Sequence, residues 1–220
     1  MQKISEMIPE GSVSIEVYAD AGTSTQDMLV QAREMNTWIP NAHIKLPITA
    51  AGLEAAKELT SEGIRVNMTL CFSQGQSAAV YAATRGSKKG DVFLSPFIGR
   101  LDDRGENGMS FIANVHNMFL KSDGHVELLA ASVRNYDHFK QCLALGVDLA
   151  TVPSRVLREW AQDGFKMPEQ NYVYDQGDMT DLPYEELDLG KEWSEYNIQH
   201  DLTDSGLEKF ASDWNGLITK

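Results

Sequence analysis

Residues 43–72 read HIKLPITAAGLEAAKELTSEGIRVNMTLCF. The first part, His43–Ile48, is mostly apolar and predicts a buried strand, and Val66–Phe72 predicts a second one. Between them, Thr49–Glu62 places leucine and alanine on one face at helical spacing, which predicts a helix. A helix that joins two buried strands is a βαβ crossover, so this stretch predicts a parallel sheet.

The same alternation continues in both directions along the chain. Six strands are predicted, each followed by a helix, at intervals typical of one βα unit. The strands are Val13–Ala19, His43–Ile48, Val66–Phe72, Asp91–Ile98, His125–Val133 and Leu149–Val152. The helices are Thr23–Ile39, Thr49–Glu62, Ser73–Ala83, Met109–Lys121, Tyr136–Leu145 and Ser154–Gln162. We interpret Gly99–Gly108 as a polar loop.

The glycine patterns of dinucleotide and nucleotide sites do not follow any of these strands, which favours a barrel over a Rossmann sheet. The predicted fold class is therefore α/β, of the (β/α)8 TIM-barrel type, although a closed barrel needs eight units and we count six. We predict an incomplete barrel over residues 1–165 and an acidic extension over residues 166–220. In the extension, Glu192–Asn197 and Thr203–Ile218 are interpreted as helical.

The last helix has leucine and aromatic residues at spacings of three and four, which is typical of an amphipathic helix. Its predicted N-cap is Thr203 or Asp204, because short polar side chains are favoured there.

The net charge of −13 is distributed unevenly. Residues 169–220 carry 13 acidic and 3 basic residues, whereas the preceding residues carry 19 and 16. A solvated acidic tail explains this pattern best, and the charge argues against nucleic acid and membranes as partners. With no signal-like N-terminus, no long apolar run and only Cys71 and Cys142, we expect a cytoplasmic protein.

Lys45 is the strongest candidate for a chemical role. It lies in an apolar strand, where an ammonium must find a partner, extend to water or lose its proton. Burial disfavours the charged form, and a neutral amine is the form that attacks a carbonyl to make a Schiff base. Pro47 removes a ladder donor, so Lys45 is expected near the strand's carboxyl end, the catalytic face of such barrels. A structural salt bridge or a solvent-directed lysine remains the alternative interpretation.

Other polar residues lie in or directly after the predicted strands, so they are expected to converge at one end of the barrel. They are Glu16, Asn67, Thr69, Ser95, Ser132, Arg100 and Arg134. Two arginines with a serine suit a phosphate group. Each residue alone also has a simpler interpretation: a satisfied buried hydroxyl, or an arginine paired with Asp102, Asp103 or Asp137. The histidines and cysteines show no ligand spacing, so no metal is expected.

Five stretches of the chain resemble transaldolases in their short form, which is related to fructose-6-phosphate aldolase. The resemblance covers residues 13–156, and the C-terminal segment is also similar. The stretches are VSIEV from Val13, HIKLP from His43, GIRVNMTLCFSQGQ from Gly63, LSPFIGRLDD from Leu94 and AASVRN from Ala130.

The resemblance implies a (β/α)8 barrel that uses a class I mechanism without metal or cofactor. It implies that Lys45 forms the Schiff base with a ketose phosphate and holds the dihydroxyacetone fragment. Glu16 and Thr69 would order the catalytic water, and Asn67 would bind substrate hydroxyls. Further substrate-binding positions would be Ser95, Phe97, Arg100, Ser132 and Arg134.

Two positions indicate which branch of the family the chain is similar to. Aldolase-type members tend to carry glutamine at the position of Glu16 and tyrosine at the position of Phe97. We therefore predict transfer of the three-carbon unit to an aldose phosphate, as in the pentose phosphate pathway. The alternatives are a fructose-6-phosphate aldolase-type lyase and a truncated, inactive barrel that binds sugar phosphates.

The chain departs from the family at its N-terminal end. In the family the glutamate lies on the third strand and the lysine on the fourth, so the first two βα units have no counterpart here. Their aspartate and asparagine therefore cannot be assigned. A partial sequence is the favoured explanation, with a shortened protein or completion by another chain as alternatives. Because the end strands would keep free edges, we also expect a homo-oligomer.

Overall fold

A parallel sheet of six strands forms the centre of the molecule. The computed structural model describes residues 1–169 and 171–218. The strands of this sheet are β1 (Val13–Glu16), β2 (Ala42–Pro47), β3 (Val66–Cys71), β4 (Val92–Pro96), β6 (Val126–Ala130) and β7 (Leu149–Ala150). Their order in the sheet is β1-β2-β3-β4-β6-β7. The sheet curls, and with its covering helices it has the architecture of a partial (β/α)8 barrel.

Two further strands of two residues each, β5 (Glu106–Asn107) and β8 (Thr180–Asp181), pair with each other outside the main sheet. The helices are α1 (Gln2–Met7), α2 (Thr25–Asn36), α3 (Ala50–Ser61), α4 (Gln74–Ala83), α5 (Ile98–Asp102), α6 (Gly108–Phe119), α7 (Tyr136–Leu145), α8 (Ser154–Gln162) and α9 (Asp201–Ile218). A single 3-10 turn, Trp193–Glu195, precedes α9.

The predicted alternation of strands and helices is confirmed, and α7 and α8 have the predicted bounds. Three local predictions are wrong. Of the predicted helical segment Glu192–Asn197, only Trp193–Glu195 is helical, as a 3-10 turn. The supposed loop Gly99–Gly108 contains α5 and β5, which are too short to show a period. The last helix begins at Asp201, so Thr203 and Asp204 lie inside it and neither is its N-cap. The hydroxyl of Thr203 instead donates to the carbonyl of Leu70.

The sheet has two faces of different chemistry. Ile44 and Leu46 on β2 are fully buried, and α2 and α3 pack against this strand. Residues that alternate with them point to the opposite, inner face. There the side chains of β1, β2, β3 and β4 are largely polar and hydrogen-bond one another. The apolar face thus packs into the hydrophobic core, and the polar inner face is the candidate location of a functional site.

The acidic extension is held against the helices by hydrogen bonds rather than left free. We call residues 171–200 the strap. The side chain of Gln74 on α4 donates to the carbonyl of Glu185 and accepts from its amide. Asn114 on α6 donates to the carbonyl of Leu182. The predicted domain division at residue 165 stays a prediction.

No helix in the described part of the chain is long and apolar enough to cross a bilayer. Cys71 and Cys142 are both buried free thiols.

The inner face also contains a buried histidine with a perturbed pKa. His43 stacks on Phe93 with ring centroids 4.0 Å apart, and its Nε2 donates to the carbonyl of Gly90. Burial lowers the pKa of His43 to about 4, although the Gly90 carbonyl favours the charged form. Below pH 6.5 the unfolded chain therefore binds a proton that the folded protein does not, so stability falls as the pH is lowered from 6.5 to about 4.

We expect His43→Phe to flatten this part of the stability curve, because phenylalanine keeps the ring stack and cannot titrate. As the pH falls from 6.5 to about 4, the free energy of unfolding of the wild-type protein should decrease by up to about 3 kcal/mol more than that of the variant. Urea unfolding at several pH values measures the difference. Parallel curves for the two proteins would contradict the buried, neutral state of His43.

Candidate active site

Lys45 and Glu16 form an ion pair on neighbouring strands. They are register partners of β2 and β1, so both side chains rise from the inner face at the same height. Lys45 Nζ lies 3.3 Å from Glu16 Oε2. The side chains are 21% and 36% exposed, which leaves the amine accessible to a ligand. The ion pair fits both interpretations of Lys45, the structural salt bridge and the reactive amine.

The chain turns sharply after Lys45. Pro47 ends β2, and Thr49 caps α3 by accepting a hydrogen bond from the amide of Gly52. A Cβ at Gly52 would lie only 2.0 Å from the carbonyl oxygen of Pro47. This close approach of helix to strand fixes where β2 ends and therefore where Lys45 emerges.

Asn67 links the inner faces of three strands. Its Nδ2 donates to Ser14 Oγ on β1 at 2.9 Å, and its Oδ1 accepts from Ser95 Oγ on β4 at 2.7 Å. Both Asn67 and Ser95 are buried. Since β2 lies between β1 and β3, the first bond can form only because the sheet curls towards its inner face. Asn67 is also the register partner of Lys45, so its amide is held beside the lysine.

Thr69 lies two residues further along β3 and faces the same side. Its buried hydroxyl has no hydrogen-bond partner among the described residues. The next residue, Leu70, has φ of +61°, a left-handed value that is rare for a leucine. The register with β4 shifts at this point, between Met68 and Cys71. Local strain of this kind occurs mostly at functional sites.

Arg100 lies on α5, directly after β4. Its guanidinium is 5.6 Å from the ring centroid of Phe97 and 5.4 Å from that of Phe210 on α9. No ion pair of Arg100 is found within residues 1–169 and 171–218. Burial lowers the pKa of Arg100, and the nearby charge of Arg134 adds to this effect. Arg100 is therefore a cation that an anionic ligand would stabilise.

Ser132 and Arg134 follow β6 at the same end of the sheet. Ser132 has a left-handed φ of +59°, and its carbonyl accepts from the amide of Gly99 at 3.2 Å. The guanidinium of Arg134 binds both carboxylate oxygens of Asp103, with Nη2 2.6 Å from Oδ2. The predicted alternative, pairing with a neighbouring aspartate, thus holds for Arg134 in this structure but not for Arg100.

Comparisons with known proteins show the family to which the chain belongs. A family model described as transaldolase/fructose-6-phosphate aldolase matches residues 1–220. The chain is 35% identical over 217 residues to a probable transaldolase of Dehalococcoides mccartyi, an alignment that covers 99% of this chain and 79% of the relative. It is 38% identical over 207 residues to one of Brucella ovis, with coverages of 94% and 74%. The chain belongs to the transaldolase/fructose-6-phosphate aldolase family.

A cavity of about 490 Å³ opens between β1 and α9, on the side of Glu16, the ion-pair partner of Lys45. Glu16 and Ser14 line it on the sheet side, and Phe210 and Leu207 line it on the helix side. Phe210 also lies 5.7 Å from Lys45 Nζ. The described residues contain no cluster of His, Cys, Asp or Glu that could hold a metal ion.

Sequence reasoning missed three residues that the fold brings to this candidate site. From the sequence alone, Phe210 is only an apolar position of the last helix, Thr203 a candidate helix cap, and Asp103 one of several partners for an arginine. The apolar period of α9 indicates that Phe210 lies on the face of the helix that packs against the protein. It does not indicate that this helix lies across the strand ends. Nothing local in the sequence distinguishes the other two residues.

Proposed function

We propose that the protein is a transaldolase that transfers a dihydroxyacetone unit from a ketose phosphate to an aldose phosphate through a Schiff base on Lys45. This reaction belongs to the pentose phosphate pathway. The accessible Lys45–Glu16 pair at the carboxyl ends of β1 and β2 is the observation that carries the proposal. Family membership supports transaldolase chemistry in general, and the residue roles are our assignment.

Glu16 is placed to take part in the proton transfers at the amine. Lys45 must lose a proton before it attacks the ketose carbonyl, and Glu16 Oε2 at 3.3 Å is close enough to accept it. Attack and loss of water then give a cationic Schiff base. The C4 hydroxyl then loses its proton to a base as the C3–C4 bond breaks, which releases an aldose phosphate and leaves the three-carbon carbanion on Lys45. The carbanion adds to the aldehyde of the second aldose phosphate, and the new alkoxide takes up a proton. Hydrolysis of the new Schiff base returns the free lysine.

Asn67 and Thr69 are suited to bind polar groups next to this intermediate. Ser95 donates to the Asn67 carbonyl oxygen, so the amide orientation is fixed and its Nδ2 faces Ser14. The second Nδ2 proton is then available to a substrate hydroxyl. The hydroxyl of Thr69 has unused capacity and can hold the water that Glu16 activates.

The phosphate end of the substrate is assigned to Arg100, with Ser132 and Arg134 beside it. Arg100 has no carboxylate partner among the described residues, and both aromatic rings around it shield it from solvent. A charge-assisted bond to a phosphate is strong in such surroundings. Arg134 can bind the same anion once its guanidinium no longer pairs with Asp103.

Release of free dihydroxyacetone is the second candidate function. It requires protonation of the carbanion in place of its transfer to an aldehyde. Phe97 is buried beside Arg100 and carries no hydroxyl that could donate this proton. This observation favours transfer over release.

Lys45→Ala should abolish the covalent adduct that borohydride traps with fructose 6-phosphate, because the variant lacks the attacking amine. Intact-protein mass spectrometry with peptide mapping measures the adduct. The matched control is Lys57→Ala, which removes an exposed lysine of α3 and should leave trapping unchanged. A wild-type adduct on Lys57, or one that persists in Lys45→Ala, would contradict the assignment. The absence of any wild-type adduct would support the inactive sugar-phosphate-binding alternative.

Arg100→Met should raise KM for fructose 6-phosphate by roughly 10- to 150-fold, the equivalent of losing a charged hydrogen bond. Methionine keeps an apolar chain between the two aromatic rings. The unphosphorylated sugar fructose should react equally in both proteins. Arg33→Met, which removes an exposed arginine paired with Glu58, is the control. An equal loss on both sugars would make Arg100 a structural residue.

Erythrose 4-phosphate as acceptor should greatly accelerate the consumption of fructose 6-phosphate. Phe97→Tyr should shift the products towards free dihydroxyacetone, because it adds a phenolic proton donor near the carbanion. A coupled assay that separates the two products measures the ratio. If the wild-type rate is the same with and without acceptor, the aldolase function is correct.

A further inference from the structure

The strained residue Leu70 follows the water-binding candidate Thr69, and its carbonyl points away from the sheet. The two neighbouring carbonyls stay in the ladder: that of Thr69 accepts from the amide of Ile48, and that of Cys71 accepts from the amide of Phe97. Only the Leu70 carbonyl between them turns towards α9. The left-handed φ of +61° makes this turn possible.

A buried side-chain network receives this carbonyl. Thr203 Oγ1 donates to the Leu70 carbonyl at 2.9 Å. The same oxygen accepts from Gln76 Nε2 at 2.7 Å, and Gln76 Oε1 accepts from the amide of Phe72 at 2.7 Å. Gln76 and Thr203 are almost completely buried, so water cannot replace either bond. Because Thr203 Oγ1 accepts from Gln76 Nε2, its single proton is directed to the Leu70 carbonyl.

This network stabilises a backbone conformation at Leu70 that is intrinsically unfavourable for a leucine. A leucine has a Cβ that clashes in the left-handed region, where glycine or asparagine would be usual. A buried carbonyl without a donor would also be costly. The Thr203 hydroxyl removes that second cost only while Leu70 keeps its left-handed conformation. Without the hydroxyl, extended backbone with a regular register becomes the better state for residues 69–71.

We propose that Thr203 is a positioning residue for Thr69. Its bond to the Leu70 carbonyl holds the left-handed conformation, and this conformation sets the direction of the Thr69 hydroxyl on the inner face, where β3 pairs with the strand that carries Lys45. This inference rests on the proposed function, in which Thr69 helps to hold the reacting water. Thr203 itself touches neither substrate nor the reacting atoms.

Thr203→Val tests the proposal, because valine keeps the volume and removes the hydroxyl. We expect kcat to fall by roughly 10- to 100-fold, as when a group is displaced by about 1 Å. KM for fructose 6-phosphate and the trapped adduct on Lys45 should not change, because the phosphate site and the amine are untouched. Thr203→Ser should restore kcat. Ser205→Ala, on the exposed side of α9, is the control for a general loss of helix packing.

A double-mutant cycle and a crystal structure separate positioning from a merely structural role. In a Thr69→Val background, Thr203→Val should have little further effect on kcat, because the two residues act as one unit. In the structure of Thr203→Val, Leu70 should leave the left-handed region and the residue 69 hydroxyl should move. A Leu70 φ that stays near +61° would overturn the proposal, as would additive effects on kcat.

The two proposals can fail separately. If the wild-type protein forms no Lys45 adduct, the proposed function fails, whereas the Leu70 conformation in the variant still decides whether Thr203 positions Thr69. If Thr203→Val does not fold, Thr203→Ala serves for the same structure and assay. A wild-type adduct together with unchanged kcat in the variant would leave the function standing and overturn the positioning role.

Discussion

The hydrogen bonds of the Asn67 side chain are the interaction on which the site depends most. One amide joins β1 to β4 across the inner face and is held next to Lys45 by register. A buried amide that lost these partners would cost roughly 1–3 kcal/mol, so the curl of the sheet and the polar inner face stabilise each other. A flatter sheet would separate Ser14 from Asn67, and the amide would then be unsatisfied.

The helix α9 closes the open end of this polar face. Thr203, Gly206 and Phe210 lie on one side of it, at helical spacing. Gly206 has no room for a Cβ, which would lie 2.6 Å from Nη1 of Arg100 and 2.7 Å from a methyl group of Leu70. The contact of α9 with both Arg100 and Lys45 therefore places a segment near the C-terminus in the site itself.

The sequence predicts the elements that have a regular hydrophobic period. It does not predict features that depend on contacts between residues far apart in the chain. Buried strands and amphipathic helices have periods, and these identified six βα units and the lysine at the end of β2. The helix α5 is only five residues long and shows no period. The sequence predicts a cap at Thr203 because that preference is local, whereas its hydrogen-bond acceptor, the Leu70 carbonyl, lies 133 positions away in the chain. Roles for the remaining site residues came from family resemblance and not from spacing.

The two arginines to which we assign the phosphate are not equivalent, and their difference affects which anions would bind. Arg134 is already neutralised by Asp103, whereas Arg100 is half-buried between aromatic rings with a lowered pKa. A ligand with a single negative charge can pair with Arg100, but it must compete with the carboxylate of Asp103 for Arg134. A phosphate dianion can compensate Arg100 and displace Asp103 together, because its three oxygens can accept from both guanidinium groups. Under the proposed function, the ion pair with Asp103 therefore raises the negative charge that a ligand needs to displace it, which favours sugar phosphates over sugar acids.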